Sequence, residues 1–177
     1  MLCVLQYKEI KRNIHVKLNT RRMVKRWAIF DLDNTIADIS NRLQIASESG
    51  KVDYFRLHDP ELIKTDEPMY ETINLMNSLA KFNVGIFILT GRFATTREVT
   101  EKWLNHHDVP YDKLQMKLNS DMYVKSDKWK QRKMIEFMQQ KYLSFEHIIL
   151  ACDDYKKNQY MFESYSIPCL DPFDITN

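Results

Sequence analysis

The amino-acid sequence predicts an α/β fold, a mainly parallel sheet covered by helices on both faces in a Rossmann-like three-layer sandwich. Three observations carry this expectation. Short, fully apolar runs recur at Trp27–Phe30, Val84–Leu89 and Ile148–Cys152, and such runs are the mark of strands buried on both faces. Segments of helical period separate them, the alternation expected of a parallel sheet. At 177 residues, with 44% hydrophobic and 28% charged content, the chain has the size and composition of one soluble globular domain.

The elements follow in order. Residues 1–24 carry Lys8, Lys11, Arg12, Lys17, Arg21 and Arg22 against the single acid Glu9. Such an arm suits a polyanion through phosphate contacts. It also reads as a solvated extension, which charge runs usually are, with the domain opening at Met23. The domain proper is expected over 25–177. Its first strand, Trp27–Phe30, leads into Asp31-Leu32-Asp33-Asn34-Thr35. Residues 40–67 are polar and irregular; they form either a small cap over the strand ends or a surface excursion, and long irregular stretches in compact domains are often functional. Glu67-Pro68 is expected to start a helix with Met69, Ile73, Met76 and Ala80 on one face. The second strand follows, and Thr95-Thr96-Arg97-Glu98 resembles a capping box for a helix carrying Val99, Trp103 and Leu104. Leu114 to Leu118 reads as a short strand. Asp127 is a plausible N-cap for a long helix with Ile135, Met138 and Tyr142. After Ile148–Cys152, a helix over about 157–165 and a short strand near Pro168 to Leu170 complete the domain.

Several function classes are excluded early. With Gly50, Gly85 and Gly91 as its only glycines, the chain has no P-loop or dinucleotide fingerprint. No apolar stretch is long enough to span a bilayer, so no membrane partner is expected. Cys3, Cys152 and Cys169 lack metal-ligand spacing and read as reduced thiols of a cytoplasmic protein (the host cytoplasm, if viral). His15, His58, His106, His107 and His147 likewise lack ligand spacing. The net charge of +2 carries no strong message.

The chemistry is concentrated at strand ends. The first apolar run ends in Asp31, Asp33 and Thr35, the second in Thr90-Gly91-Arg92, and the last in Asp153-Asp154. In an open α/β sheet the carboxyl ends of the strands line one crevice, so these scattered groups are expected to converge. Four acids in one crevice need a cation. An all-oxygen donor set without a His or Cys cluster suits Mg²⁺. A phosphate monoester brought there needs donors and positive charge. Thr90 supplies a donor, and Lys130, near the start of a helix, is the candidate cation among Lys125, Lys128, Lys130 and Lys133. Two acids with separate positions on one strand end suit division of labour between nucleophile and proton carrier. Of the tryptophans, Trp129, between Lys128 and Lys130, is the candidate for stacking on a base; Trp27 and Trp103 read as packing residues.

Asp31-Leu32-Asp33-x-Thr35, Leu89-Thr90-Gly91-Arg92, a lysine and Asp153-Asp154, in this order across residues 27–158, resemble the haloacid dehalogenase (HAD) superfamily of phosphotransferases. Within it, the details are most similar to the 3′-phosphatase domain of bacteriophage polynucleotide kinase. Arg42 follows Asp31 by eleven positions, Gly91-Arg92 leads into Lys102-Trp103-Leu104, and Lys125-Ser126-Asp127-Lys128-Trp129-Lys130 matches the lysine-bearing segment. Asn34 departs from the usual glycine, Ser126 from an acid, the segment between the first two motifs is longer, and no kinase half is present.

The resemblance implies a Mg²⁺-dependent phosphatase. Asp31 would be nucleophile and Asp33 acid and base, with Thr90 and Lys130 holding the phosphoryl group. Metal would bind Asp31, the backbone carbonyl of Asp33, Asp153 and Asp154. Arg42, Arg92, Gly91 and Thr35 would bind substrate, a phosphorylated nucleic-acid end or a nucleotide. Two other functions are open on the sequence: a phosphatase of 5′-nucleotides or other small phosphomonoesters, and a non-catalytic nucleic-acid-binding module.

Overall fold

A computed structural model describes residues 24–175. Apart from Val24, the basic segment at 1–24 lies outside the described residues.

Five strands form one parallel sheet: β1 (Trp27–Phe30), β4 (Gly85–Phe93), β5 (Lys113–Lys117), β6 (Ile148–Cys152) and β7 (Cys169–Leu170), in the order β5-β4-β1-β6-β7. β1 is central, with β4 on one side and β6 on the other. The chain builds outward from β1 on one side, then crosses to the other, so the carboxyl end of β1 is the switch point where such sheets bind ligands.

Side-chain alternation along β1 divides the core into two layers. Trp27 and Ile29, with Phe87 and Leu89 of β4, pack under Trp129, Met134, Phe137 and Met138 of α6 (Ser126–Lys141) and Phe162 of α7 (Lys156–Glu163). Ala28 and Phe30, with Ile86 and Ile88, pack under Ile73 and Met76 of α4 (Tyr70–Lys81) and Trp103 and Leu104 of α5 (Arg97–His106). The expected three-layer architecture is therefore present. Gly85 stands opposite Trp27 in the sheet. A Cβ there would sit 2.5 Å from the indole ring, so only glycine lets the two strands keep this register.

Between β1 and α4 the chain leaves and returns through a two-stranded antiparallel ribbon, β2 (Ala37–Asp38) with β3 (Glu67–Pro68). Beyond the ribbon it makes three short helices, α1 (Ser40–Ala46), α2 (Tyr54–Leu57) and α3 (Pro60–Ile63). The last two begin at Asp53 and Asp59, whose carboxylates accept bonds from backbone amides of the first turn.

Several local expectations are corrected. Glu67-Pro68 belongs to the ribbon, and α4 begins only at Tyr70. The capping box at 95–98 does not form, because a 3-10 turn precedes α5 and its N-cap is Thr96, which places Glu98 one position short of N3; the Thr96 hydroxyl donates to the Phe93 carbonyl at 2.8 Å. α6 begins at Ser126, placing Asp127 inside the first turn, where its charge still favours the helix dipole. Its buried stripe is Lys130, Met134, Phe137 and Met138. Tyr142 instead adopts φ 55° at the C-cap and is 93% exposed. No helix among the described residues is long and apolar enough to cross a membrane.

Candidate active site

Asp31 directly follows β1. Its amide donates to the Cys152 carbonyl at 2.9 Å, extending the pairing with β6 by one step. Lys130 rises from the second turn of α6, 1% exposed, and its Nζ lies 2.7 Å from Asp31 Oδ2 and 2.6 Å from Asp153 Oδ2. Asp153 is fixed in turn by the start of α7. The Tyr155 amide and Asn158 Nδ2 donate to its Oδ1 at 3.1 and 2.9 Å, and Gln159 Nε2 donates to its carbonyl at 2.6 Å. Asp154 joins from the next position, where Asn34 Nδ2 donates to it at 3.3 Å. Asn34 itself has φ 54°, a left-handed conformation that asparagine tolerates in place of glycine. The other three lysines of the 125–133 segment stay outside this cluster; Lys133, for example, pairs with Glu136 at 2.8 Å.

One oxygen from each of Asp31, Asp153 and Asp154 falls within a 4.8 Å group. Burial, joined by the charges of Asp153 and Asp154, pushes the Asp31 carboxyl up to about 8 against the pull of Lys130. Lys130 is also desolvated, yet Asp153 and Asp31 hold its ammonium above the ordinary lysine range. With all three acids ionised, one ammonium would leave two negative charges, the amount one divalent cation would neutralise, and such a cation would favour the ionised form of Asp31. The donor set is all oxygen. The cluster therefore fits Mg²⁺.

Asp33 belongs to a second network. Its Oδ1 accepts from Arg42 Nη2 at 2.5 Å and from Arg92 Nε at 2.6 Å. The same guanidiniums bond Asp66, Arg42 Nε to Oδ1 at 2.7 Å and Arg92 Nη2 to Oδ2 at 2.6 Å. Arg42 also donates to the Leu57 carbonyl at 2.7 Å, and Trp103 Nε1 donates to the Asp66 carbonyl at 2.8 Å. Burial would raise the Asp33 carboxyl, but Arg92 and Arg42 outweigh it and hold it below its usual range. The Asp33 carboxylate thus faces the arginines and is not among the clustered metal-ligand oxygens.

This network changes the expectation for Arg42 and Arg92. Both are 0% exposed, so neither extends toward a substrate beyond the strand ends. Asp66, the fourth member, was not legible in the sequence: it stands in Thr65-Asp66-Glu67-Pro68 with no motif around it. The backbone ribbon brings it back to the site from 33 positions beyond Asp33.

Thr90 is fully buried at the end of the apolar part of β4, and its Oγ1 accepts from the Arg92 amide at 3.1 Å. Thr35 is also fully buried and its hydroxyl has no partner among the described residues, so it lies behind the site rather than on its surface. Gly91 faces open space; a Cβ built on it meets nothing within 4 Å. Trp129 is 1% exposed and donates to Asp121 Oδ2 at 3.0 Å, so its ring is core and has no face for a base. Trp27 and Trp103 are core residues as expected.

Solved structures share this architecture. Two chains of the Pnkp1/Rnl/Hen1 RNA repair complex superpose with TM-scores of 0.68 and 0.66 at 22% and 21% identity, each over 85% of this chain. A haloacid dehalogenase-like family hydrolase from Streptococcus pneumoniae superposes with a TM-score of 0.60 at 13% identity, over 86% of this chain and 97% of its own. The chain has a haloacid dehalogenase-like fold. It spans 43% and 46% of the two repair-complex chains, less than half of either. No family sequence model and no curated protein matches it. The haloacid dehalogenase-like fold accounts for the placement of Asp31, Thr90, Lys130 and Asp153 at the strand ends and the helix above them.

Proposed function

We propose that this protein is a Mg²⁺-dependent phosphomonoester hydrolase that removes 3′-phosphates from nucleic-acid ends or nucleotides. The observation that supports it most is the buried Asp31–Lys130–Asp153 arrangement, with Asp154 beside it, at the switch point of the sheet. Asp31, Asp153 and Asp154, with the Asp33 carbonyl, would hold the cation, which would neutralise the approaching phosphate.

The chain's own groups then divide the work. Asp31 attacks phosphorus in line, forming an aspartyl-phosphate as the bond to the ester oxygen breaks. Asp33 gives the leaving oxygen a proton, then takes one from the water that hydrolyses the intermediate and frees Asp31 and inorganic phosphate. Both arginines sit on Oδ1 and hold the carboxylate ionised in the free protein, so Oδ2 would relay the proton that a monoanionic phosphate ester brings with it. Arg42 and Arg92 act as positioning residues for Asp33. The Lys130 ammonium and the Thr90 hydroxyl offer donors to the phosphoryl oxygens. The similarity to chains of an RNA repair complex supports a nucleic-acid end as substrate. The excursion at 40–67 would serve as a small cap.

The test is phosphate release from a 3′-phosphorylated oligonucleotide and a 5′-mononucleotide, side by side, with and without Mg²⁺. Release from the oligonucleotide, dependent on Mg²⁺ and abolished in Asp31→Asn with the fold intact by circular dichroism, is expected. Turnover of the mononucleotide alone would refute the 3′-end assignment, and no release from either would refute the phosphatase reading.

A further inference from the structure

Beside the phosphate site lies a cleft of about 530 Å³ that no catalytic role uses. One wall is the helical excursion, through Tyr54 and Phe55 of α2; the other is the loop after β5, through Met122 and Tyr123. Gly91 and Phe93 of β4 line it between the two walls. Gly91 is flanked in the strand by Thr90 and by Arg92, which bonds Asp33. The cleft therefore begins where the phosphate site ends.

Its walls are unusual for a protein surface. Tyr54 is 63% exposed, Phe55 83% and Tyr123 92%. Exposed apolar residues scattered singly mean little, but several large rings gathered around one concavity mark a place where a ligand covers them. Phe93 is already stacked by His58, with ring centroids 4.4 Å apart and planes inclined by 30°, and His58 Nδ1 is tied to the Tyr54 carbonyl at 2.7 Å. This couples Phe93 to the wall that carries Tyr54. At the other wall Lys117 Nζ donates to the Val124 and Met122 carbonyls at 2.7 and 3.4 Å; among the described residues it has no carboxylate within ion-pair distance. The lining thus carries the cation Lys117, which feels the charge of Asp121, and one acid, Asp53, whose carboxylate is engaged in capping α2.

We propose that this cleft binds the nucleobase of the nucleotide whose phosphate occupies the Asp31 site, by stacking on Tyr54, Phe55 and Tyr123. The proposal rests on the phosphatase reading and adds to it the part of the substrate that is recognised. Rings with few convergent polar groups read the π-face of a base and not its hydrogen-bonding edge, so all four bases are accepted with similar affinity. Lys117 favours a strand that brings a further phosphate to the rim.

Two measurements test this in the full chain. The first compares kcat/KM for nucleoside 3′-monophosphates and for glycerol phosphate, which has no base. In Tyr54→Ala and Tyr123→Ala the ratio of nucleotide to glycerol phosphate falls on the order of tenfold, carried by KM. Phe82→Ala, exposed at the other end of β4's layer, leaves the ratio unchanged. A ratio unmoved by both tyrosine substitutions overturns the proposal. The second is calorimetric titration with adenosine, which needs no catalysis; binding that both substitutions weaken is expected, and none in the wild type overturns the cleft. If adenosine binds in this way but no phosphomonoester is turned over, the hydrolase reading fails and the base site stands. If glycerol phosphate is hydrolysed and adenosine does not bind, the base site fails and the hydrolase stands.

Discussion

Lys130 is a positive charge withdrawn from water, and it persists there because two carboxylates meet it at 2.6 and 2.7 Å. Removing one partner of a buried ion pair costs more than the pair contributes, because the remaining charge is stranded. Lys130→Met should therefore destabilise the protein by about 3–5 kcal/mol, read as a lower urea midpoint in metal-free buffer. Added Mg²⁺ should restore part of the loss, since the cation would replace the missing positive charge beside Asp31 and Asp153. A midpoint unchanged from wild type would show that the ammonium does not hold the acids together. At this scale the sequence was informative where chemistry is local. Asp31, Asp33, Thr90 and Asp153 were legible because each ends an apolar run. The environment of Arg42 was not, because its partners, Asp33 and Asp66, come from both sides of an excursion whose path the sequence does not encode as a pattern.

Among the elements, the excursion at 40–67 is joined to the sheet by its ribbon and by four charged side chains. Asp66 is the one member that no phosphate-site chemistry requires. Asp66→Ala would leave Arg42 and Arg92 facing a single carboxylate, at a cost of about 3–5 kcal/mol. The expected signature is local as well as global: faster amide exchange and new protease cleavage around Ser47 to Gly50, while the amides of β1 and β4 stay protected. Uniform loss of protection would mean that the excursion and sheet unfold as one unit. The strands β1, β4 and β6 were readable as apolar runs. The ribbon was not, since two-residue strands have no period to detect, and Pro68, a good opener of helices, occurs there as a ribbon residue. The long helix was legible and Met138 is buried in it as expected, but Ile135 is only half-buried and Tyr142 lies at the left-handed C-cap, outside the helical period.

For the whole molecule, a cation held by Asp31, Asp153 and Asp154 would link β1 to β6, so its binding free energy would also be stability. At free Mg²⁺ a hundredfold above Kd, the folded state gains about 2.7 kcal/mol, seen as a rise of several degrees in Tm. Asp154→Asn should remove most of that rise. An equal rise in wild type and variant would place the cation elsewhere. The fold class was legible because three apolar runs, each ended by polar groups, leave few architectures open. The order of the strands was not, since nothing in an apolar run states which neighbour it pairs with.

The bond from the Asp31 amide to the Cys152 carbonyl has a wider meaning. It makes Asp31, the proposed nucleophile, and the end of β6, with Asp153 next to it, parts of one hydrogen-bonded ladder at the centre of the sheet. The Asp31 backbone cannot shift without breaking this bond at the centre of the sheet. The aromatic wall formed by Tyr54 and Phe55 belongs instead to α2, in the excursion held to the sheet by the ion pairs of Arg42 and Arg92 with Asp33 and Asp66. Harsher conditions should therefore disturb the proposed base site before the proposed phosphate site.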